Sequence, residues 1–101
     1  MTDVLTGAGF DCTAAATGDE ARTMICPDCR FDILVSDIKM PGRTDGIELA
    51  EHFTAMCPHR PALLLTGYAD GRKIRFPVLQ KPLIFGRLIP TIRQLVDKAT
   101  S

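Results

Sequence analysis

Three side chains that could together handle a phosphoryl group each follow a short, mainly apolar run of the sequence. They are Asp37, Thr66 and Lys81, which supply a carboxylate, a hydroxyl and an ammonium. A carboxylate can attack phosphorus to form an acyl phosphate, while an ammonium neutralises the oxyanions and a hydroxyl donates a hydrogen bond to one of them. An aspartate at a strand end is more often structural than reactive. The prediction therefore depends on all three groups meeting at one place.

The apolar runs before these side chains predict a parallel sheet. Residues 33–35 and 62–65 are continuous apolar segments, as in strands that are covered on both faces. Residues 78–79 and 10–15 are weaker strand candidates, the latter as an edge strand. Amphipathic segments alternate with these runs, which indicates an α/β protein with crossover helices. Reactive groups of such sheets lie beyond the carboxyl ends of the strands, so we expect the three side chains to converge on one edge.

Capping residues and apolar spacing predict three helices. Thr17 begins a capping box ahead of the first helix, and Asp45 caps the second. The third lies near the end of the sequence and contains Pro90, which predicts either a start at that proline or a kinked first turn. Residues 67–77 leave too little room for a packed crossover helix, so we predict an extended or single-turn loop.

Composition limits the classes of partner and compartment. The 101 residues suffice for one domain over residues 1–101. Basic and acidic residues number 12 each, and this balance disfavours a nucleic acid or anionic membrane bound through bulk charge. No apolar run approaches the ~18 residues of a membrane span, and residues 1–8 lack the pattern of a signal peptide. We therefore expect a cytoplasmic location, with no direct nucleic-acid or membrane partner.

Three cysteines lie near the ends of the first two predicted helices. Cys26 and Cys29 are separated by two residues, and Cys57 is followed closely by His59. Disulfides are the less expected use in a reducing cytosol. A zinc site with three thiolates and one imidazole is conceivable, but Cys57 fits an apolar stripe and buried free cysteine is common. A thioredoxin-like pair would open a helix rather than close one, so we expect ordinary packing or exposed thiols.

The order and spacing of four motifs resemble the receiver domain of two-component response regulators. The motifs are residues 32–42, 45–49 and 63–68 and the Lys-Pro pair that begins at Lys81. The resemblance extends over nearly the whole chain. It implies a flavodoxin-like, doubly wound parallel sheet with helices on both faces. It also implies a signalling domain of a phosphorelay, and not an enzyme.

The resemblance assigns a role to each candidate residue. Asp37 matches the phosphoacceptor, Thr66 the switch hydroxyl, and Lys81 the lysine that precedes a proline usually reached by a cis bond. In the family, a Mg²⁺ ion is bound partly by the phosphoacceptor and by the backbone carbonyl two residues later, here that of Lys39. The partner implied is a histidine kinase or a phosphotransfer protein. Signalling would then pass by protein contact.

The sequence departs from the family pattern in two regions. The family's first strand has no counterpart in this sequence, because residues 1–8 match only the end of the family's first helix. In the family, that strand lies in the middle of the strand order 2-1-3-4-5 and ends in an acidic pair that binds Mg²⁺. We therefore expect weak or absent Mg²⁺ binding. We also expect a monomer that closes the gap by strand pairing, forms a homodimer by strand exchange, or folds poorly. The short segment before Lys81 resembles a subgroup with a short or absent fourth helix, and Val78 stands where most receivers carry an aromatic switch residue.

Two other readings compete with a working phosphoacceptor. The missing acidic pair favours a degenerate receiver that binds partners without phosphorylation. A hydrolase of the dehalogenase type shares an aspartate at a strand end with a downstream threonine and lysine. That family needs a second aspartate two residues after the nucleophile as general acid, and Lys39 occupies the position here. The sequence thus argues strongly against the hydrolase.

Overall fold

The computed structural model describes residues 2–39, 42–67, 74–80 and 85–100. Helices and strands alternate along much of this chain. The four helices and three strands of the described ranges are α1 (Thr2–Gly7), α2 (Gly18–Met24), β1 (Leu34–Asp37), α3 (Gly46–Met56), β2 (Ala62–Thr66), β3 (Val78–Gln80) and α4 (Phe85–Thr100).

The three strands form one parallel sheet in the order β1-β2-β3. Leu34 faces Ala62 across the first pair of strands, and Thr66 faces Gln80 across the second. The strands predicted at 33–35, 62–65 and 78–79 are confirmed, because these segments overlap β1, β2 and β3. Parallel pairing needs crossover connections, and α3 supplies the one between β1 and β2.

Both faces of the sheet are covered by apolar side chains. Successive residues of a strand point to opposite faces, and the four fully apolar positions of β2 divide accordingly. Ala62 and Leu64 belong to a core cluster built with α3, which includes Leu49 and Phe53. Leu63 and Leu65 belong to a second cluster, whose other buried members are Leu5, Leu88 and Ile92. This two-sided burial explains why β2 is a continuous apolar run.

Side-chain caps fix the starts of α2 and α3 as the sequence predicts. The Thr17 hydroxyl accepts a hydrogen bond from the Glu20 amide at 3.0 Å. The Asp45 carboxylate accepts one from the Glu48 amide at 2.8 Å. Each cap satisfies a backbone donor that the first turn of a helix leaves unpaired.

The last helix begins before its proline. Helix α4 starts at Phe85, so Pro90 lies inside it and the predicted start at Pro90 is wrong. Leu88 and Ile92 are buried on either side of that proline, and their packing holds the helix on the sheet. In the loop predicted at 67–77, residues 68–73 lie outside the described ranges. Ile74 and Phe76 of the same loop pack against the α3 side of the core.

The weak strand prediction at residues 10–15 is wrong. These residues form neither helix nor strand, and they do not pair with β1. A cleft of about 710 Å³ is lined by this segment and by residues 30–37, which include all of β1. The gap expected from the sequence is therefore not closed by pairing within the described chain. An extended segment needs a hydrogen-bonded neighbour to become a strand, and β1, one of the two edge strands of the described sheet, pairs only with β2 among the described strands.

Candidate functional site

The sheet register brings Asp37 and Thr66 to the same edge. Asp37 is the last residue of β1 and lies opposite Leu65, so Thr66 is the next residue of the neighbouring strand. Both side chains are half-buried. Thr66 in turn faces Gln80, the last residue of β3. Lys81 follows Gln80 in sequence but lies outside the described residues, so its predicted convergence with Asp37 and Thr66 stays a prediction.

The amino end of α3 packs directly on the end of β1. The Gly46 amide donates a hydrogen bond to the Ile38 carbonyl at 2.8 Å, and the Ile38 amide donates one to the Leu65 carbonyl at 2.9 Å. A Cβ atom at position 46 would overlap the backbone carbonyl oxygen of Asp37. Only glycine permits this close approach, because it has no Cβ. Gly46 therefore helps to fix the backbone position of Asp37.

The Asp19 carboxylate on α2 accepts hydrogen bonds from the loop that follows β1. The Thr44 hydroxyl donates to Asp19 Oδ1 at 2.7 Å, and the Arg43 amide donates to Asp19 Oδ2 at 3.2 Å. The hydrogen bond from Thr44, with the smaller contribution of the Arg43 amide, lowers the pKa of Asp19 below its ordinary 3.8. Gly42 beside it adopts a φ of 94°, the left-handed region that favours glycine.

Sequence reasoning recognised Asp19 only as part of a helix start. Its contacts lie 24 and 25 residues further along the chain, and no local pattern predicts them. The one available signal was an acidic residue beside the Thr17 cap, which the helix dipole explains equally well. Asp19 is thus a supporting residue of the site that the tertiary structure alone identifies.

The described residues at this edge offer an incomplete set of Mg²⁺ ligands. Mg²⁺ requires near-octahedral oxygen ligands and is usually held by one or two carboxylates besides water and phosphate. Asp37 supplies one carboxylate, and Lys39, whose carbonyl the resemblance implies as a ligand, is an exposed residue. Within the described ranges, no group of three or more His, Cys, Asp or Glu residues could hold a metal ion. The expectation of weak or absent Mg²⁺ binding stays a prediction.

The cysteines differ from their predicted use. Cys29 and Cys57 form a disulfide, so the expectation of packed or exposed free thiols is wrong for these two residues. Cys12 and Cys26 are free. The bridge also removes two of the thiolates that the conceivable zinc site would have used, because a metal-bound cysteine must be a thiolate. Local residue spacing does not predict this disulfide, because the bond joins residues that are 28 positions apart.

Comparison with known proteins identifies a family and several similar proteins. The family model described as "Response regulator receiver domain" matches residues 1–83. The transcriptional regulator NtrC of Klebsiella pneumoniae is 39% identical over 96% of this chain. FixJ of Bradyrhizobium diazoefficiens, a transcriptional regulatory protein, is 38% identical over 95% of it. A crystal structure of a receiver protein from Sinorhizobium medicae superposes with a TM-score of 0.84 at 28% identity, covering 96% of this chain and 82% of that one.

The similarity covers only part of the curated relatives. This chain spans 21% of the length of the Klebsiella NtrC and 49% of FixJ. The matched part of each relative is therefore the size of one domain, and the DNA-binding activity named for NtrC describes the whole protein. Among the helices of the described residues, none is both long and apolar enough to cross a membrane.

Proposed function

The chain belongs to the family of response regulator receiver domains, and on this premise we propose that it accepts a phosphoryl group on Asp37 from a histidine kinase or a phosphotransfer protein. The observation that carries the proposal is the placement of Asp37 and Thr66 at adjacent positions on the carboxyl edge of β1 and β2. Residues 1–101 act in this proposal as one receiver-like signalling domain in the cytoplasm, and not as an enzyme.

The proposed reaction transfers the phosphoryl group between two protein side chains. A carboxylate oxygen of Asp37 forms a bond to phosphorus while the phosphorus–nitrogen bond of the donor phosphohistidine breaks, and the imidazole nitrogen takes up a proton. The Thr66 hydroxyl donates a hydrogen bond to one phosphoryl oxygen, and the Lys81 ammonium neutralises another. Gly46 and Asp19 act as positioning residues, because both hold the backbone that follows Asp37.

A small-molecule phosphodonor tests the acceptor directly. Incubation of the chain with acetyl phosphate, at low and at millimolar Mg²⁺, should add the mass of one phosphoryl group. Treatment with hydroxylamine should remove it, because an acyl phosphate is labile to that nucleophile. The Asp37→Asn variant should gain nothing. Asp32→Asn is the matched control, since Asp32 is an exposed carboxylate just before β1 and pairs with Arg60 at 3.3 Å. Addition to Asp37→Asn, or loss of addition in Asp32→Asn, would contradict the assignment.

The second candidate is a degenerate receiver that binds its partner without phosphorylation. The poor donor set for Mg²⁺ favours it, because the family reaction uses that ion to offset phosphoryl charge. It predicts no mass gain at any Mg²⁺ concentration, and equal affinity of wild type and Asp37→Asn for a receiver-binding histidine phosphotransfer domain. Under the first proposal that domain, once phosphorylated, should transfer its phosphoryl group to wild type only.

The edge of β1 that is left unpaired among the described strands favours a homodimer or strand exchange. The cleft beside β1 is lined on both walls by apolar side chains of the two core clusters, such as Phe53 and Ile92. Burying such surface stabilises by about 25 cal/mol per Å², and an outer strand is a ready template for pairing. We propose that a second copy covers this side. Sedimentation equilibrium at several concentrations should show a dimer, and a monomer with a cooperative thermal transition would refute the idea.

A further inference from the structure

One end of the molecule, away from Asp37, carries a disulfide and a free thiol that is close in sequence to one of the two bonded cysteines. Cys29, in the segment between α2 and β1, is bonded to Cys57 at the end of α3. Cys26 is free and exposed, three positions before Cys29. A disulfide is broken by attack of a nearby thiolate on one of its sulfurs. The arrangement therefore contains both reactants of an internal exchange.

The backbone brings Cys26 within bonding range of Cys29. The Cys29 amide donates a hydrogen bond to the Cys26 carbonyl at 3.1 Å, which closes a four-residue turn with Pro27 at its second position. Proline favours that position of a turn, and the end residues of such turns have Cα atoms less than about 7 Å apart. Disulfides span Cα separations of about 4.4–6.8 Å. The Cα separation that this turn allows therefore overlaps the range that a disulfide can span.

Burial decides which sulfur is attacked. Cys57 is 2% exposed, so its sulfur is shielded from solvent even though it lies 3.7 Å from the Cys26 carbonyl oxygen. Cys29 is only half-buried, with its sulfur 3.4 Å from the Pro27 carbonyl oxygen in the turn. The sulfur of Cys29 is therefore the accessible one, and Cys57 is the leaving group. Cys29 also has a φ of 52°, a region that non-glycine residues seldom occupy and that often marks functional sites.

We propose that Cys26, Cys29 and Cys57 form a thiol–disulfide exchange site. The thiolate of Cys26 attacks the sulfur of Cys29, a Cys26–Cys29 bond forms, and the Cys29–Cys57 bond breaks. The Cys57 sulfur leaves as a thiolate and takes up a proton from water, replacing the one that Cys26 lost. Two cysteines are oxidised before and after, so the step needs no oxidant or reductant. A dithiol protein of the thioredoxin type can then reduce the exposed Cys26–Cys29 bond.

The exchange would change the packing of the segment before β1. The Cys29–Cys57 bond ties that segment to α3, while the Cys26–Cys29 bond is local to the segment. Ile25 is a buried member of the core cluster on the α3 side, and Phe31 packs against that cluster. Both also line the cleft beside β1. Exchange would therefore release this wall of the cleft from the carboxyl end of α3. The proposal does not depend on phosphorylation of Asp37.

Peptide mapping of the full chain distinguishes the two bonds. Trypsin cleavage after Arg22 and Arg30 places Cys26 and Cys29 on one peptide and Cys57 on another. Oxidised protein is incubated without reductant at mildly alkaline pH, quenched with acid, unfolded and labelled with N-ethylmaleimide. Exchange should yield labelled Cys57 together with an internally bonded 23–30 peptide. The labelled Cys57 fraction should be at least about tenfold above that in Cys26→Ser, because only a nearby thiolate can displace it.

Two controls separate exchange from unfolding or scrambling. Cys12→Ser removes the other free thiol and should exchange as wild type does. Alkylation of native wild type at Cys26 before incubation should abolish exchange without any substitution. Equal Cys57 labelling in wild type, Cys26→Ser and the alkylated protein would overturn the proposal. Labelling of all four cysteines in protein prepared without reductant would overturn it too, because no bridge would then exist.

Discussion

The contact between Gly46 and the end of β1 predicts a large effect from a single methyl group. In Gly46→Ala the new Cβ would overlap the Asp37 carbonyl oxygen and lie 2.9 Å from the Ile38 Cα atom. Both neighbours are backbone, so α3 must move away from β1. The move breaks the hydrogen bond from Gly46 to Ile38, worth about 1 kcal/mol, and overpacks the junction, which costs about 1–3 kcal/mol.

Gly86→Ala is the matched control for this variant. Gly86 also lies in the first turn of a helix, α4, but a Cβ there meets nothing within 4 Å. Both substitutions gain about 0.5–1 kcal/mol of helix propensity, so the gain cancels between them. The free energy of unfolding should therefore be about 2–4 kcal/mol lower in Gly46→Ala than in Gly86→Ala.

Thermal and urea unfolding of the two variants measure this difference. About 4–8 °C of Tm per kcal/mol is typical of domains of this size, so Gly46→Ala should melt at least about 8 °C below Gly86→Ala. Its phosphoryl gain from acetyl phosphate should also be slower, because the Asp37 backbone shifts with α3. Equal melting temperatures would refute the reasoning, since α3 would then tolerate displacement from β1 without cost.

Three further outcomes follow from other contacts. Asp19→Ala should lower the unfolding midpoint at neutral pH. Because the pKa of Asp19 is lowered on folding, its contribution is present above the unfolded value near 3.8 and is lost as pH falls through the lower folded value. Urea unfolding at neutral pH and near pH 3 should show the gap between wild type and variant closing with acid. Arg93→Ala should speed amide hydrogen exchange at residues 8–10 by about 5-fold, equivalent to about 1 kcal/mol, since Arg93 donates to the Ala8 carbonyl at 2.9 Å and covers the Phe10 ring. Phe53→Ala should cost about 3–5 kcal/mol in chemical denaturation, because Phe53 is 2% exposed in the core, and a loss below about 1 kcal/mol would contradict that packing.

Patterns of residue type over a few positions predict a structural feature correctly where the interactions that cause it lie within those positions. The caps at Thr17 and Asp45 bond to amides three residues away, so their residue types alone predict them. The apolar run 62–65 predicted β2 because both faces of that strand are covered. Asp37 and Thr66 were predicted at one edge because parallel strands present their carboxyl ends together.

Residues 10–15 and the cysteines show where local patterns fail. The segment at 10–15 has a plausible strand sequence, yet it forms no strand because it pairs with none of the described strands. Strand formation depends on a partner, and residue types within the segment carry no information about that partner. The Cys29–Cys57 bond likewise depends on how α2 and α3 are placed, since disulfide geometry requires two distant Cα atoms to approach closely.

The sequence by itself determined the family resemblance, the starts of α2 and α3, the apolar runs at 33–35 and 62–65, and the aspartate that ends β1. These features depend on residue type at fixed short spacing, which the chain carries in its own order. Only the tertiary structure decided that Asp19 braces the loop after β1, that Gly46 touches Asp37, that Cys29 joins Cys57 and that a cleft remains beside β1. Each of these depends on the distance between segments that are far apart in sequence, and packing alone sets that distance.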